Sequence, residues 1–395
     1  MNKQQKFLAG YMIDGTGSPS KRDVLITVKD GTIVSVDQVD HKEIGGSDTN
    51  CLDFSDCTFL PGLVDCHVHL CWSGTVDKKL RKEQLDFTFE QSKALIQQRI
   101  AKYLSYGVVA LRDGGDSRAF TLRFKKEYLP GPECPVLKAA GSAWRAAGRY
   151  GKIIARPPEE GLTLAEGIAR QSEVPDHTKI INSGLNSLAD FGRETKPQFS
   201  AGELKAAIQQ SRRLGRKVMV HANGEIPVRE AIEAGCDSVE HGYFMGSDNI
   251  MRLADRGITW IPTAFAMKAL SMALPNGIEA DVARKTLDHQ LEQIALARQM
   301  GVRLGVGTDS GGFGLRHGQS YIEELHTLME AGSSIEEVIG WASKEGTRLL
   351  DLDDRMGRIM PGMPAGFIIV PGPPESLPGS LRDLRNVYFG GMKIV

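Results

Sequence analysis

A chain of 395 residues, 41% of them apolar, is long enough to bury a large core and to carry one big domain plus a smaller one. Its 48 basic residues meet 49 acidic ones, and a net charge of −1 offers no basic surface for nucleic acid or an anionic membrane. No apolar run approaches membrane-spanning length, and Met1 to Lys6 leads into no apolar export segment.

The chain opens on strand-like runs, Phe7–Ile13, Asp23–Val28 and Thr32–Val36, with the hairpin signal Asp30-Gly31 between the last two. From residue 61 strand and helix alternate, the pattern of parallel βαβ units. Eight candidate strands follow: Gly62–His69, Val108–Asp113, Val136–Gly141, Lys179–Asn182, Lys217–His221, Ser238–His241, Ile258–Pro262 and Arg303–Thr308. Helix starts of the S/T-x-x-E kind lie between them, at Thr163 with Glu166, Ser200 with Glu203 and Ser334 with Glu337. Gly215 and Gly332 read as helix stops. No GxGxxG opens a helix, and Gly311-Gly312-Phe313-Gly314 is not that motif, which argues against a nucleotide fold. The last forty residues return to strand character at Gly366–Val370, Val387–Phe389 and Met392–Val395. Eight units is the number that closes a barrel. The expected architecture is therefore α/β: a (β/α)8 TIM barrel over residues 61–354, with a small β-sandwich domain built from residues 1–60 and 355–395.

In such a barrel, chemistry sits on the loops that follow the strands. The first barrel strand ends in His67-Val68-His69, and side chains two apart on a strand point the same way, so both imidazoles can share a cation. His221, His241 and Asp309 end the fifth, sixth and eighth strands, and Lys179 lies on the fourth. Each has an ordinary explanation by itself: a hydrogen-bonded core histidine, a solvated lysine, a helix-capping aspartate. Six such residues at the strand ends of one barrel do not. Imidazole and carboxylate suit zinc, manganese or iron. The six cysteines (51, 57, 66, 71, 134 and 236) show no CxxC spacing and are expected to be reduced thiols in a cytoplasmic protein. Cys66 and Cys71 flank the histidine pair and read as small buried hydrophobes rather than ligands.

Pro61-Gly62-Leu63-Val64-Asp65-Cys66-His67-Val68-His69 resembles the first-strand signature of the amidohydrolase superfamily. Val239-Glu240-His241-Gly242 and Gly307-Thr308-Asp309-Ser310-Gly311 resemble its sixth- and eighth-strand signatures, and the likeness covers essentially the whole chain. Asp14-Gly15-Thr16-Gly17 and Val28-Lys29-Asp30-Gly31-Thr32-Ile33 are similar to the family's β-sandwich opening. Leu111-Arg112-Asp113-Gly114-Gly115 and the Lys179 segment resemble the branch of imidazolonepropionase-like proteins and of Xaa-Pro and Xaa-Arg/Lys (prolidase-like) dipeptidases. That resemblance implies two divalent metals, zinc first among them. His67, His69 and Asp309 would hold one, His221 and His241 the other, and a CO2-derived carbamate on Lys179 would bridge them. A lysine taken out of water loses its proton readily and can then add CO2. It further implies that a metal-bridging hydroxide attacks the amide carbonyl, with Asp309 moving the proton to the leaving amine.

Two stretches depart from the relatives: Ala146-Ala147-Gly148-Arg149-Tyr150-Gly151 replaces a histidine-containing Gly-Gly-His-Gly segment, and Ala222-Asn223-Gly224 follows His221. Both lie where substrate is expected. Arg145, Arg149, Tyr150, Asn223, Arg316 and His317 are accordingly the candidate substrate contacts, with the arginines placed to grip a carboxylate. His41, His177, His289 and His326 are given no role. The expected partner is a small molecule, a dipeptide or N-acyl amino acid; homo-oligomerisation is left open. Ester, lactone or phosphotriester hydrolysis on the same site is the alternative. Heterocycle deamination fits poorly with Lys179, and a non-catalytic scaffold fits poorly with six retained ligands.

Overall fold

A computed structural model of the chain describes residues 4–40, 51–129 and 135–395; His41 and Cys134 lie outside them. Four strands come first: β1 Gln4–Met12, β2 Lys21–Lys29, β3 Thr32–Gln38 and β4 Cys51–Pro61. The middle carries β5 Leu63–Val68, β6 Val108–Asp113, β7 Val136–Ala139, β8 Ala143–Trp144, β9 Ala155–Arg156, β10 His177–Ile181, β11 Lys217–Ala222, β12 Ser238–His241 and β13 Thr259–Ile261. The chain ends with β14 Phe367–Pro371, β15 Asn386–Phe389 and β16 Met392–Lys393. It divides into two compact units, one of residues 1–65, 101–110 and 332–395, the other of residues 66–100 and 111–331.

The first unit holds a seven-stranded sheet in the order β16-β15-β14-β4-β1-β2-β3. Asp30 and Gly31 both adopt positive φ (50° and 81°), as a tight two-residue hairpin requires, and Lys29 faces Thr32 across the turn. Sequence reading missed β4. Its first half (Cys51 to Asp56) is largely exposed and polar, so only the tail Cys57–Pro61 carries an apolar signal. β4 nevertheless joins the termini, pairing parallel with β1 and antiparallel with β14. Phe7, Phe59, Phe367 and Tyr388 meet in its core with ring centroids 5.0–6.2 Å apart, several edge to face.

The second unit is α/β with parallel pairing. Its larger sheet runs β13-β12-β11-β10-β8-β9, and β5-β6-β7 form a second sheet. The expected strand Arg303–Thr308 does not form as such. Only single parallel bridges occur there, Trp260 with Leu304 and Val68 with Ser310, backed by Trp260 N–H to Arg303 O and Cys66 N–H to Val306 O, both 2.8 Å. Gly305 and Gly307 press bare backbone onto Ile261, where a Cβ would come within 2.6 and 2.4 Å of its side chain, and no regular ladder develops.

The helix signals at Thr163, Ser200 and Ser334 are complete capping boxes: each hydroxyl accepts the N–H three residues on, and each glutamate accepts the cap's own N–H. Gly215 and Gly332 stand just past helices at φ 70° and 86°. Among the described residues no helix is long and apolar enough to cross a membrane. None of the five described cysteines is in a disulfide; Cys66 and Cys71 are buried, and burial pushes the Cys71 thiol pKa up.

Candidate metal centre

Parallel strands bring their carboxyl ends to one edge, and the ionisable residues gather there. His67 in β5 and His69 just beyond it turn to the same side, ring centroids 5.4 Å apart. Asp309 donates its backbone N–H to His67 O (2.8 Å), and its Oδ1 lies 3.5 Å from His67 Nε2 and 3.3 Å from His69 Nε2. These three residues offer ligand atoms within 4.8 Å of one another. Lys179 of β10 sets Nζ 3.5 Å from His67 Nε2. His221 of β11 and His241 of β12 have ring centroids 4.6 Å apart, and His241 stands 4.9 Å from His67. All six residues singled out in the sequence are brought together.

Each ring is oriented from behind. His67 Nδ1 lies 2.8 Å from Glu240 Oε2, His69 Nδ1 2.8 Å from Gly115 O, and His241 Nδ1 2.7 Å from Thr263 Oγ1. In those three, the engaged Nδ1 leaves Nε2 for the centre. His221 is reversed: Nε2 lies 3.2 Å from Gly184 O, leaving Nδ1. Glu240 is itself clamped. Arg112 donates from Nη2 to Glu240 Oε1 (2.8 Å), from Nη1 to Ser238 Oγ (2.9 Å) and from Nε to Cys66 O (2.7 Å), while the Ser238 hydroxyl donates to Glu240. Asp113 accepts N–H bonds from Leu70 (2.7 Å) and Gly115 (2.9 Å), so it fixes both the loop after His69 and the carbonyl that His69 uses. Burial raises its carboxyl pKa to about 6.

Electrostatics prepares the ligands. Burial, aided by the charge of Lys179, takes His67 well below its ordinary pKa and His221 to about 4; burial and then His221 take His241 to about 3. These imidazoles are neutral near pH 7, each with a lone pair to give. Burial would lower His69 too, but its hydrogen bond to Asp309 and the nearby carboxylates outweigh it and raise the pKa. Asp309 is pushed up by burial, yet His69 and the other imidazoles hold it well below the usual carboxylate range. Lys179, fully buried, falls to about 8 because its ammonium is desolvated, against the pull of Glu240 and Asp309.

The backbone is unusual at the same places. His241, Thr263 and Asp309 hold positive φ (67°, 47° and 55°), a region costly for residues with a Cβ and concentrated at functional sites. Gly114 leaves a hollow: a Cβ there would meet His69 Cε1 at 2.8 Å and His67 Nε2 at 3.4 Å. Neutral, pre-oriented imidazoles, a carboxylate and a readily deprotonated lysine around such a hollow form a donor set suited to divalent cations of the zinc type.

The candidate substrate contacts separate into kinds. Tyr150, 39% exposed, lays its ring 5.6 Å from His221, and burial of its hydroxyl followed by the charge of Asp309 raises its pKa. Asn223 braces loops, accepting Tyr243 N–H at Oδ1 (3.1 Å) and donating to Gly184 O (3.4 Å). Arg145 donates to Ala146 O and Arg149 O, and Arg149 to Lys196 O and Pro197 O. Arg316 is exposed and borders a cavity of about 240 Å3 with Val76, Phe265 and Met272. His317 is buried, Nε2 2.7 Å from Trp72 O. Sequence reading quoted Arg112, Asp113 and Glu240 only as parts of motifs. A glutamate in a wholly buried strand needs a cation, and Arg112 in an equally buried strand was the one to look for.

Comparison with known proteins agrees with this geometry. Residues 58–391 match the Amidohydrolase family. An uncharacterized protein of Mycobacterium tuberculosis is 27% identical over 394 residues, covering 96% of this chain and 95% of that protein. The imidazolonepropionase of Stenotrophomonas maltophilia is 24% identical over 389 residues, covering 90% and 88%. The crystal structure of a Xaa-Pro dipeptidase with bound methionine in the active site superposes with a TM-score of 0.82 at 25% identity, covering 99% of both chains.

Proposed function

The chain belongs to the amidohydrolase family and is a hydrolase of carbon–nitrogen bonds; from that premise we propose that it uses two divalent cations, zinc first among them, to cleave the amide of a dipeptide or N-acyl amino acid. The observation that carries this reading is the set of His67, His69, Lys179, His221, His241 and Asp309, with one ring nitrogen of every imidazole engaged from behind and the other left for the centre. His67, His69 and Asp309 would hold one cation, His221 and His241 the other, and Lys179, carbamylated through its free amine, would join them. Bound there, the cations would polarise the amide carbonyl and supply hydroxide at neutral pH.

The chain's own residues do the rest. Asp309 Oδ1, beside both His67 and His69, is placed to accept the proton of the attacking water and return it to the leaving nitrogen. Glu240 and Arg112 keep His67 in one tautomer and one orientation. A closed eight-stranded barrel over residues 61–354 goes with this reading. Its support is the succession of neighbours Val68–Gly114, Asp113–Ala140, Ala139–Asp176, the ladders from β10 to β13, Trp260–Arg303 and Val306–Cys66, each joined by backbone hydrogen bonds. The sandwich of residues 1–60 and 355–395 is supported by the seven-stranded sheet that both termini share. A free acid on the substrate goes with this proposal, since a dipeptide and an N-acyl amino acid each end in a carboxylate next to the scissile part.

The test is elemental analysis of protein purified without chelator, together with turnover of a panel of dipeptides and N-acyl amino acids. About two ions per chain, amide cleavage, and loss of the second ion in Lys179→Ala with partial rescue by acetate are expected. One ion with an unmodified, dispensable Lys179 would sink the two-metal reading. Turnover confined to esters or lactones would move the substrate class.

A further inference from the structure

We propose that Arg81 anchors the substrate's carboxylate and so selects amides whose leaving part carries a free acid group; this deepens, and rests on, the amide-hydrolase reading above. Arg81 belongs to the short helix Lys78–Glu83 in the loop after His69, a stretch in which sequence reading saw nothing. Its Nη1 donates to Thr75 O (3.4 Å) and to Gly311 O (3.3 Å), and its Cζ lies 5.9 Å from the centre of the Phe313 ring. Gly311 follows Asp309 by two residues and packs on His69 so closely that a Cβ would meet His69 O at 2.5 Å. The guanidinium is therefore tied to the loop that carries Asp309.

Its remaining donors decide what it can hold. Among the described residues, Nε and Nη2 have no protein partner, and no carboxylate pairs with this side chain. Nε–H and one Nη2–H lie on a single edge of the guanidinium and form the parallel fork that matches two carboxylate oxygens. Arg81 is also partly buried, and a cation withdrawn from water without an anion is unfavourable until a ligand supplies one. Burial lowers its pKa against the pull of the carboxylate of Asp309, the proposed proton carrier. Of the other arginines on these loops, Arg316 is exposed, whereas Arg118, Arg145 and Arg149 are committed to backbone carbonyls. Arg118 donates to Phe87 O (2.5 Å) and Gln84 O (3.3 Å). A carboxylate on the Nε/Nη2 edge would hold the neighbouring amide near the centre, and its binding energy would be used for orientation.

The experiment uses two pairs of compounds on metal-loaded wild type, Arg81→Ala and Arg81→Lys, with metal content checked in each. N-acetyl-L-phenylalanine and N-acetylphenethylamine, which lacks the carboxylate, report turnover; L-phenylalanine and phenethylamine report binding by calorimetry. Arg81→Ala should lower kcat/KM for the acid about ten- to a hundredfold, as expected for a lost charge-assisted hydrogen bond. It should weaken L-phenylalanine binding by a similar factor and leave the neutral compounds within about twofold. Arg81→Lys should fall between, because an ammonium keeps the charge and loses the fork. Equal losses on acid and neutral compound, or none on the acid, would overturn the proposal. If wild type cleaves neither N-acetyl compound, the amide-hydrolase reading fails for this class and the binding pair alone decides Arg81. In that case, L-phenylalanine binding that is absent in wild type or insensitive to Arg81→Ala overturns it.

Discussion

Phe59 and Glu240 are both wholly buried, one in each unit, and the neighbours each requires differ in kind. Phe59 sits among Phe7, Phe54 and Phe367, and any close-packed apolar surroundings would satisfy it. Glu240 requires Arg112, Ser238 and His67 at set distances, because an uncompensated buried carboxylate is strongly destabilising. The first interior is held by area, the second by complementarity of charge and hydrogen bonds. The second also contains positive φ at His241, Thr263 and Asp309, whereas the aromatic core's strands carry it among their non-glycine residues only at Asp23. Strain and buried charge are concentrated where the chemistry is proposed, and the first unit is left to supply stability.

That contrast can be broken by substitution. The largest effect is expected from Asp309→Asn, which should lower kcat by about a hundredfold to ten-thousandfold by removing the proton carrier. Asparagine tolerates the left-handed backbone of residue 309, so the variant should still fold and show a cooperative urea transition. Activity near wild type would show that another group moves the proton. Phe59→Ala should do the reverse, costing about 3–5 kcal/mol in unfolding while metal content at low temperature stays at the wild-type value. If this variant instead loses metal while still folded, the two interiors are not separable. Glu240→Gln tests the boundary: amide for carboxylate keeps the shape but leaves Arg112 without its anion. Metal affinity, measured by chelator competition, should fall about ten- to a hundredfold. Unchanged affinity would make Glu240 a structural partner of Arg112 alone.

The two interiors were also unequally legible in the sequence. The hairpin at Asp30-Gly31 and the capping boxes at Thr163, Ser200 and Ser334 were readable because their physics is local. The six clustered residues were readable for another reason: parallel strands deliver their ends to one edge, so order along the chain becomes neighbourhood in space. β4 was not, since the polar residues of its exposed half interrupt the pattern. The segment Arg303–Thr308 is one of the eight candidate strands, but Gly305 and Gly307 make it a packed backbone run with single bridges. Arg112 meeting Glu240, 128 residues away, and Arg81 meeting Gly311, 230 residues away, are products of tertiary structure that no local window contains.

The raised pKa of His69 and the lowered one of Lys179 bear on how the centre fills. Below about pH 8 Lys179 still carries a proton, and Asp309 favours one on His69. A cation entering among these residues would displace both, and the carbamate proposed at Lys179 would release acid as it formed. On the two-metal reading, filling the centre should therefore produce acid, visible as a downward drift in an unbuffered titration, and apparent affinity should climb as the solution is made more alkaline towards pH 8. The same coupling makes mild acid a gentler way to empty the site than a strong chelator, because protons returned to His69 and Lys179 compete for the positions the metal leaves.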